Sequence, residues 1–511
     1  MPEVSATISL EMQLAGSAGA WTDLSSDTYV DPPVRASLGI TGTGPMDRIG
    51  SIGEMAFMLR NDELNSGTKL GYYSPNHANV RSGFAIGAAA RLKMTYAGSV
   101  RYKWTGFVQS IAPEAGQYMT RRTEVRCVDW LDIATNSKTS LTEISSNQRA
   151  DQGISTLIGG MMDLPAASSL AAGQDSFPVI FDTARDEKTA VLAEMSKLVI
   201  SELGYLYLKG DETTGGVLTF EDRHARIKTG SSTASMNASM AGMTVMRDRA
   251  HVKNRIRANV YPRELSAAAS ILFSLQSKPL VPLSGSIEIE GRYTDPDNRG
   301  VTRIGGASMI TPASSTDFTM NSASDGTGTD RTANFTVTAS LGGNAARYHI
   351  VNGAADAYIT KLQARGRFYI IREPTTSEKS SACSISDFGE NVLDFDMAYQ
   401  DDPIVADDAA NAILSSWKDP VTEVTGLEFI GNTNDALMTQ GLLREPGDRI
   451  TLVEAATGLD KDFFIQGAEI EVGARDILKF RWFLTPSDAT NYWVLGIVGR
   501  SEMGITTIPG Y

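Results

Sequence analysis

The sequence predicts a mainly β, multidomain chain that encloses a small α/β unit. Three observations predict this. Short runs of period-two hydrophobicity recur at close spacing. Glycine is abundant, at 47 of 511 residues, which suits turns and strand ends better than a helical bundle. Helical stripes are confined to a few stretches. At roughly 150 residues per domain the length corresponds to about three or four domains. Each can bury an ordinary core, since 42% of residues are hydrophobic and 21% charged.

Val4, Ala6, Ile8, Leu10, Met12 and Leu14 alternate with Ser5, Thr7, Ser9, Glu11 and Gln13, which reads as a half-buried strand. Gly16 to Gly19 then supplies a turn. Trp21–Val30, Pro32-Pro33 and Val34–Ile40 continue the strand-and-turn pattern. Glu54–Asn61 is the next strand, followed by a polar loop with Pro75 and His77. Arg91–Tyr96 and Arg101–Ile111 flank a turn at Ala97-Gly98-Ser99, and Thr123–Trp130 closes this block. Many short strands at this spacing predict a barrel or sandwich.

The pattern changes after Asp132. Ala150–Ile158 has a short helical period. Asp186–Leu203 places Val191, Met195, Leu198 and Val199 on one face, with Asp182 or Thr183 as cap and Gly204 as the left-handed terminator. Tyr205–Leu208 and Val217–Phe220 flank a Gly-rich turn and read as a hairpin. From Ile256 to Ile371 the chain is strand-like again, with candidates at Ile287–Ile289, Phe335–Thr338, Tyr348–Val351 and Phe368–Ile371; the loop Ser324–Asp330 reads as exposed. A last unit opens near Ser384. Asp402 and Pro403 mark an N-cap and first helical residue, and Ala406, Ala409, Ala410, Ile413, Leu414 and Trp417 form one stripe, a helix over 404–417. Strands follow at Val424–Ile430, Arg449–Glu454, Phe463–Val472 and Ile477–Leu484, with a turn at Pro446-Gly447-Asp448.

The formal net charge of -14 disfavours tight binding to a phosphate backbone and suits a surface that DNA slides past. Cys127 and Cys383 are far apart, which disfavours disulfides, zinc ribbons and iron–sulfur clusters; both are expected to be buried thiols or small core residues. No run approaches the roughly 20 apolar residues of a membrane span. The start lacks a basic, apolar leader, so synthesis in a cytoplasm is expected.

The sequence offers no catalytic, cofactor-binding or metal-binding residue. There is no His-Glu-x-x-His and no phosphate-binding loop; Gly39–Gly44 lacks the following lysine. His77, His224, His251 and His349 are not at metal-ligand spacing. Cys127 lies in the alternating strand Val125–Val128, which suits a core thiol better than a nucleophile. Tyr293–Gly300 starts like a calcium loop but departs from one at Arg299 and Gly306. Asp394, Asp396, Asp401, Asp402, Asp407 and Asp408 form an acidic stretch, some of it accounted for by a helix start. A carboxylate pair for glycoside hydrolysis would be placed by the fold and is not settled by spacing.

In order along the chain, these segments resemble the tail-tip hub, or minor tail, proteins of long-tailed bacteriophages. Three passages carry the resemblance. The first runs from Val4–Leu14 through Trp21-Thr22-Asp23-Leu24 to Tyr102-Lys103-Trp104-Thr105-Gly106-Phe107-Val108. The second runs from Val191 to His224, with Gly204-Tyr205-Leu206-Tyr207 and Leu218-Thr219-Phe220-Glu221-Asp222-Arg223. The third holds Pro446-Gly447-Asp448-Arg449, Phe463–Gly467, Trp482–Pro486 and Gly504-Ile505-Thr506-Thr507. The family has no catalytic motif to transfer.

The resemblance implies two tube-like β-barrel domains, at 1–136 and 376–511, with an α/β domain at 137–250 and a β-sandwich domain at 251–375. It implies a homotrimer whose six barrels join a sixfold tail tube to a threefold tip in the virion. Implied partners are the distal tail protein, the tail tube, the tape-measure protein, and tail fibres or receptor-binding proteins, with DNA only in passage. Some relatives carry a hydrolase domain beyond the hub or hold an iron–sulfur cluster; the end at Tyr511 and the two cysteines set this chain apart. Two other readings compete: a hexameric distal tail ring protein, and a glycan-binding or carbohydrate-active tail protein.

Overall fold

The computed structural model describes residues 4–14, 19–116, 120–139, 144–182, 189–229, 231–237, 240–296 and 304–487. The turn expected at Gly16, the cap at Thr183, the helix start at Asp186, the end of the Tyr293–Gly300 segment and the Gly504–Thr507 motif lie outside these residues.

Among the described residues the fold is mainly β, and its largest sheet has 14 strands, drawn from both ends of the chain and from Ala234–Met246 between them. In the N-terminal block, Thr7–Gln13, Ala89–Tyr96, Ser99–Pro113, Arg122–Val128 and Glu54–Arg60 are neighbours in that order. Alternation sets their inner face: Ala6, Leu10, Met12, Met55, Phe57, Leu59, Leu92 and Met94 are buried. The hairpin at Ala97-Gly98 forms as expected, with positive φ at both residues. In the C-terminal block, Arg449–Glu454, Leu459–Gly473, Ile477–Pro486 and Glu423–Ile430 are neighbours.

Both blocks are curled, and chain connectivity shows why. In the first, Trp21–Asp23 pairs with Thr7–Gln13 at one edge, while Thr28–Tyr29 pairs with Glu54–Arg60 at the other. Laid flat, those seven strands would put the two pieces about 29 Å apart at ~4.8 Å per strand. The five steps from Asp23 to Thr28 reach about 18 Å at most. The second block repeats the device. Ala234–Met236 pairs with Arg449–Glu454, and Gly242–Met246 pairs with Glu423–Ile430. A flat sheet would need about 24 Å, against about 22 Å of reach. One segment thus straps the two edges of each block together. Two tube-like barrels were expected; among the described residues no hydrogen-bonded ladder closes either block. The ladder instead continues from one block into the other, where Val34–Gly39 pairs with Val472–Gly467. One apolar core runs through both.

The α/β unit packs on this sheet. Its helices Trp130–Asn136, Ala150–Gly159 and Val191–Glu202 cover Tyr205–Lys209 and Val217–Glu221, which pair as the expected hairpin. Three local expectations are corrected. Trp130 starts a helix rather than ending a strand, because Asp129 accepts the Leu131 N–H as an N-cap. Helix Val191–Glu202 is not capped by Asp182, whose carboxylate faces Arg263 at 3.4 Å. Leu203, not Gly204, takes the left-handed conformation. Gly204 is needed for clearance, since a Cβ there would meet the Glu221 carbonyl at 2.4 Å.

The middle of the chain forms a six-stranded and a three-stranded sheet facing each other across one core. The long strand Ala357–Ile371 pairs with five partners among the described residues. The helix expected at 404–417 runs Pro403–Trp417, with Asp402 capping it and Pro403 at its first turn. It covers a three-stranded sheet of Thr375–Ser380, Arg255–Val260 and Val392–Met397. That sheet draws its strands from far apart in sequence, so it had no local signature.

Candidate functional site

The seam between the two blocks combines close backbone approach with a cluster of buried charge. It depends on two glycines. Gly39 has φ of +87°, and a Cβ on it would lie 2.6 Å from the Gln466 carbonyl. A Cβ on Gly467 would lie 2.6 Å from the Ile40 carbonyl and 2.8 Å from that of Leu38. Trp104 Nε1 donates to the Ser37 carbonyl at 3.1 Å, fixing the first seam strand from below.

Lys103 ties three units together there. A bulge sets Leu92 opposite Trp104 but Lys93 opposite Tyr102, so Lys103 is the extra residue and turns inward beside Trp104. Its ammonium donates to Glu445 Oε1 at 2.5 Å and to the carbonyls of Arg444 and Leu442 at 3.0 and 3.2 Å. Glu445 Oε2 in turn accepts the Gly210 N–H of the α/β unit at 3.0 Å. Burial raises the Glu445 carboxyl above its ordinary range, and the Lys103 charge works against that rise.

A second tether lies beside it. Arg226 donates to Glu221 Oε2 at 3.0 Å and to Gln466 Oε1 at 2.9 Å, with its guanidinium 3.5 Å from the Tyr205 ring centroid. Tyr207 donates to Glu221 Oε1 at 2.8 Å. The expected turn at Pro446-Gly447-Asp448 packs onto this tyrosine; a Cβ on Gly447 would sit 2.3 Å from its hydroxyl. Nothing in the linear pattern marked Lys103, Glu445 or Arg226. Their signal is weak: a charge beside a buried aromatic in an otherwise alternating strand, and partners such as Glu445 for Lys103 and Gln466 for Arg226 that lie hundreds of residues away.

Two buried carboxyls stand out in and beside the α/β unit. Asp129 accepts N–H groups from Gly53 and Leu131 at 2.7 and 3.0 Å, yet burial pushes it up to about 7. Burial likewise pushes Glu202 up to about 7, only partly offset by the Arg223 charge.

The residues weighed from sequence are dispersed. His251 Nδ1 lies 2.5 Å from Glu423 Oε1, and His77 Nδ1 accepts the Asn79 N–H at 3.1 Å. His349 lies on the strand Ala345–Asn352, and His224 precedes the short helix Ala225–Lys228. Among the described residues, no group of three or more His, Cys, Asp or Glu could hold a metal ion, and no helix is long and apolar enough to cross a membrane. Cys127 is buried, with its thiol pushed up by burial, whereas Cys383 is exposed, which corrects the expectation of two buried thiols. Cys383 sits on a short helix, Ala382–Phe388, that covers little. The acidic stretch is largely occupied. Asp394 and Asp396 share the Asn259 amide at 2.8 and 3.1 Å, Asp402 caps its helix, and Asp407 pairs with Lys379 at 2.7 Å.

No protein-family model and no curated protein matches the chain. Solved structures do. The chain is similar to a tail protein from Neisseria meningitidis, with 9% identity and a TM-score of 0.48 over 94% of this chain and 96% of that one. It is similar to the 43 kDa tail protein of prophage MuSo2 from Shewanella oneidensis, also with 9% identity and a TM-score of 0.48, over 94% and 98% of the two chains. A type VI secretion system component of E. coli aligns at 9% identity and a TM-score of 0.37, over 93% of this chain and 76% of that one.

Proposed function

We propose that the chain is a structural component of a bacteriophage tail tip, a hub that assembles as a homotrimer and joins a sixfold tube to a threefold tip. One observation carries the reading. The chain holds two separately strapped, curled β-blocks fused side by side, among the described residues, through one ladder at Val34–Gly39 and Gly467–Val472. Two tube-like barrel walls per chain, at 1–136 and 376–511, are what three chains need to present six equivalent walls to a sixfold ring. The α/β domain at 137–250, apart from the strap Ala234–Met246 that belongs to the second wall, and the β-sandwich domain at 251–375 would sit outside that ring. The outermost strands, Trp21–Asp23 and Gly242–Met246, each pair on one side only among the described residues, and neighbouring chains would cover them.

In this role the chain works by shape. The distal tail protein, tube and tape measure would lie along its axis, fibres or receptor-binding proteins at its rim, and DNA would only pass through. The net charge of -14 suits such passage. The decisive experiment is mass in solution together with imaging of the purified assembly. Rings of three chains are expected; rings of six would replace the hub by a distal ring protein. Clearing of host cell-wall suspensions by this chain alone would overturn the non-enzymatic role.

A further inference from the structure

The strongest unassigned feature is an open cleft of about 530 Å³ where the α/β unit, the end of helix Pro403–Trp417 and the C-terminal block meet. Pockets that hold organic ligands run ~300–1,000 Å³. Its lining carries five cations, Arg48, Arg223, Arg226, Arg449 and Lys461, against two acids, Asp460 and Asp462, in a chain of net charge -14.

The cations are not equally committed. Arg449 spends its guanidinium on Asp462 and the Thr229 carbonyl. Arg48 donates to the Pro45 and Leu203 carbonyls, and Arg223 pairs with Asp175, with Glu202 3.9 Å from its Nε. Arg223 Nε has no hydrogen-bond partner among the described residues, and Arg226 shares that condition. Arg226 is only 8% exposed, yet its second terminal nitrogen is buried with no hydrogen-bond partner among the described residues. Its other nitrogens are held by Glu221 and Gln466. Lys461, at the rim, is exposed and makes no ion pair among the described residues. The aromatic rings make this arrangement rigid. Arg226 and Arg48 lie 3.5 and 4.7 Å from the Tyr205 centroid, and Phe464 and Trp417 form apolar wall beside them. A planar donor fixed against a ring, with an unmet N–H, is suited to a carboxylate.

We propose that this cleft is a docking site for an acidic peptide segment of an assembly partner, with a partner carboxylate completing the Arg226 guanidinium and a second meeting Lys461. Charge complementarity selects the occupant, and the apolar wall suits a peptide better than a free ion. Such docking does not depend on the hub role.

The test titrates the full chain with an end-blocked tetraglutamate peptide and with its tetraglutamine counterpart, by calorimetry at low and high salt. The acidic peptide is expected to bind at least tenfold more tightly than the amide peptide, with affinity falling as salt rises. Arg226→Gln is expected to weaken binding at least tenfold. Because Arg226 is also a structural tether, Lys461→Glu supplies a second reading from an exposed position, with an expected loss of threefold or more. Equal binding of the two peptides, or unchanged affinity in Lys461→Glu, would overturn the proposal. So would inorganic phosphate binding more tightly than the acidic peptide, since the site would then be one for small anions.

Discussion

Replacing Lys103 by methionine removes the cation from the junction of the two blocks and the α/β unit while keeping most of the side-chain volume. Three acceptors lose their donor, and Glu445 becomes a buried carboxylate with the Gly210 N–H in place of its ion pair. Breaking one side of a buried pair costs about 3–5 kcal/mol. For 511 residues melting together, an unfolding entropy of roughly 2.1 cal/mol/K per residue turns that loss into about 3–5 °C. Protonating Glu445 relieves the unpaired charge, so the loss is expected to shrink from pH 7.5 to 5.5. Lys103→Met, Glu445→Gln and the double variant form a cycle, read by calorimetric melting and by amide exchange in residues 34–39. The double variant is expected to cost about 2 kcal/mol less than the sum of the singles. Additivity within about 0.5 kcal/mol, or unaltered protection at residues 34–39, would refute the idea that this pair holds the seam.

Gly467→Ala is expected to open the same seam by steric means, at about 1–3 kcal/mol, because the nearest atoms its Cβ meets are backbone carbonyl oxygens; exchange in residues 34–39 and 467–472 reads it. Asp129 sits at about 7, above its ordinary 3.8, so its favourable contribution is full below about pH 4 and is lost as pH rises through 7. Stability is therefore expected to fall by about 2 kcal/mol between pH 5.5 and 8 on its account, and Asp129→Asn, which keeps a capping side chain, is expected to flatten that slope in melting curves. A thiol reagent is expected to label Cys383 at once and Cys127 only on unfolding; two fast thiols in the native protein would contradict the burial of Cys127.

Much of the fold was legible wherever the pattern was local. The alternation of Val4–Leu14, the Ala97-Gly98 turn, the Tyr205/Val217 hairpin and the Asp402-Pro403 helix start all lie where the residues place them. The misses have physical causes. Trp130 has strand-like neighbours, but a cap at Asp129 turns the chain. Val392–Met397 looked like an acidic run because alternate residues face water, while Phe395 and Met397 face the core beneath the Pro403–Trp417 helix. The seam was invisible because it joins residue 39 to residue 467, and its charges are paired across similar distances. Lys103 is turned inward only by a bulge, which no alternation rule anticipates.

The straps also set a timetable for synthesis. The N-terminal strap, Trp21–Tyr29, leaves the ribosome with the strands it joins, so the first block can curl early. The second strap, Ala234–Met246, emerges about 240 residues before the last strand of the block it closes, a wait of roughly 12–48 s at ~5–20 residues per second. For most of that interval its pairing strands, Glu423–Ile430 and Arg449–Glu454, do not yet exist. The C-terminal block cannot curl until Ile477–Pro486 has emerged, and the seam strand Val34–Gly39 must stay unpaired on that side until Gly467–Val472 has. The chain is thus exposed to mispairing until these strands appear, and termination before them leaves one finished block with an open edge.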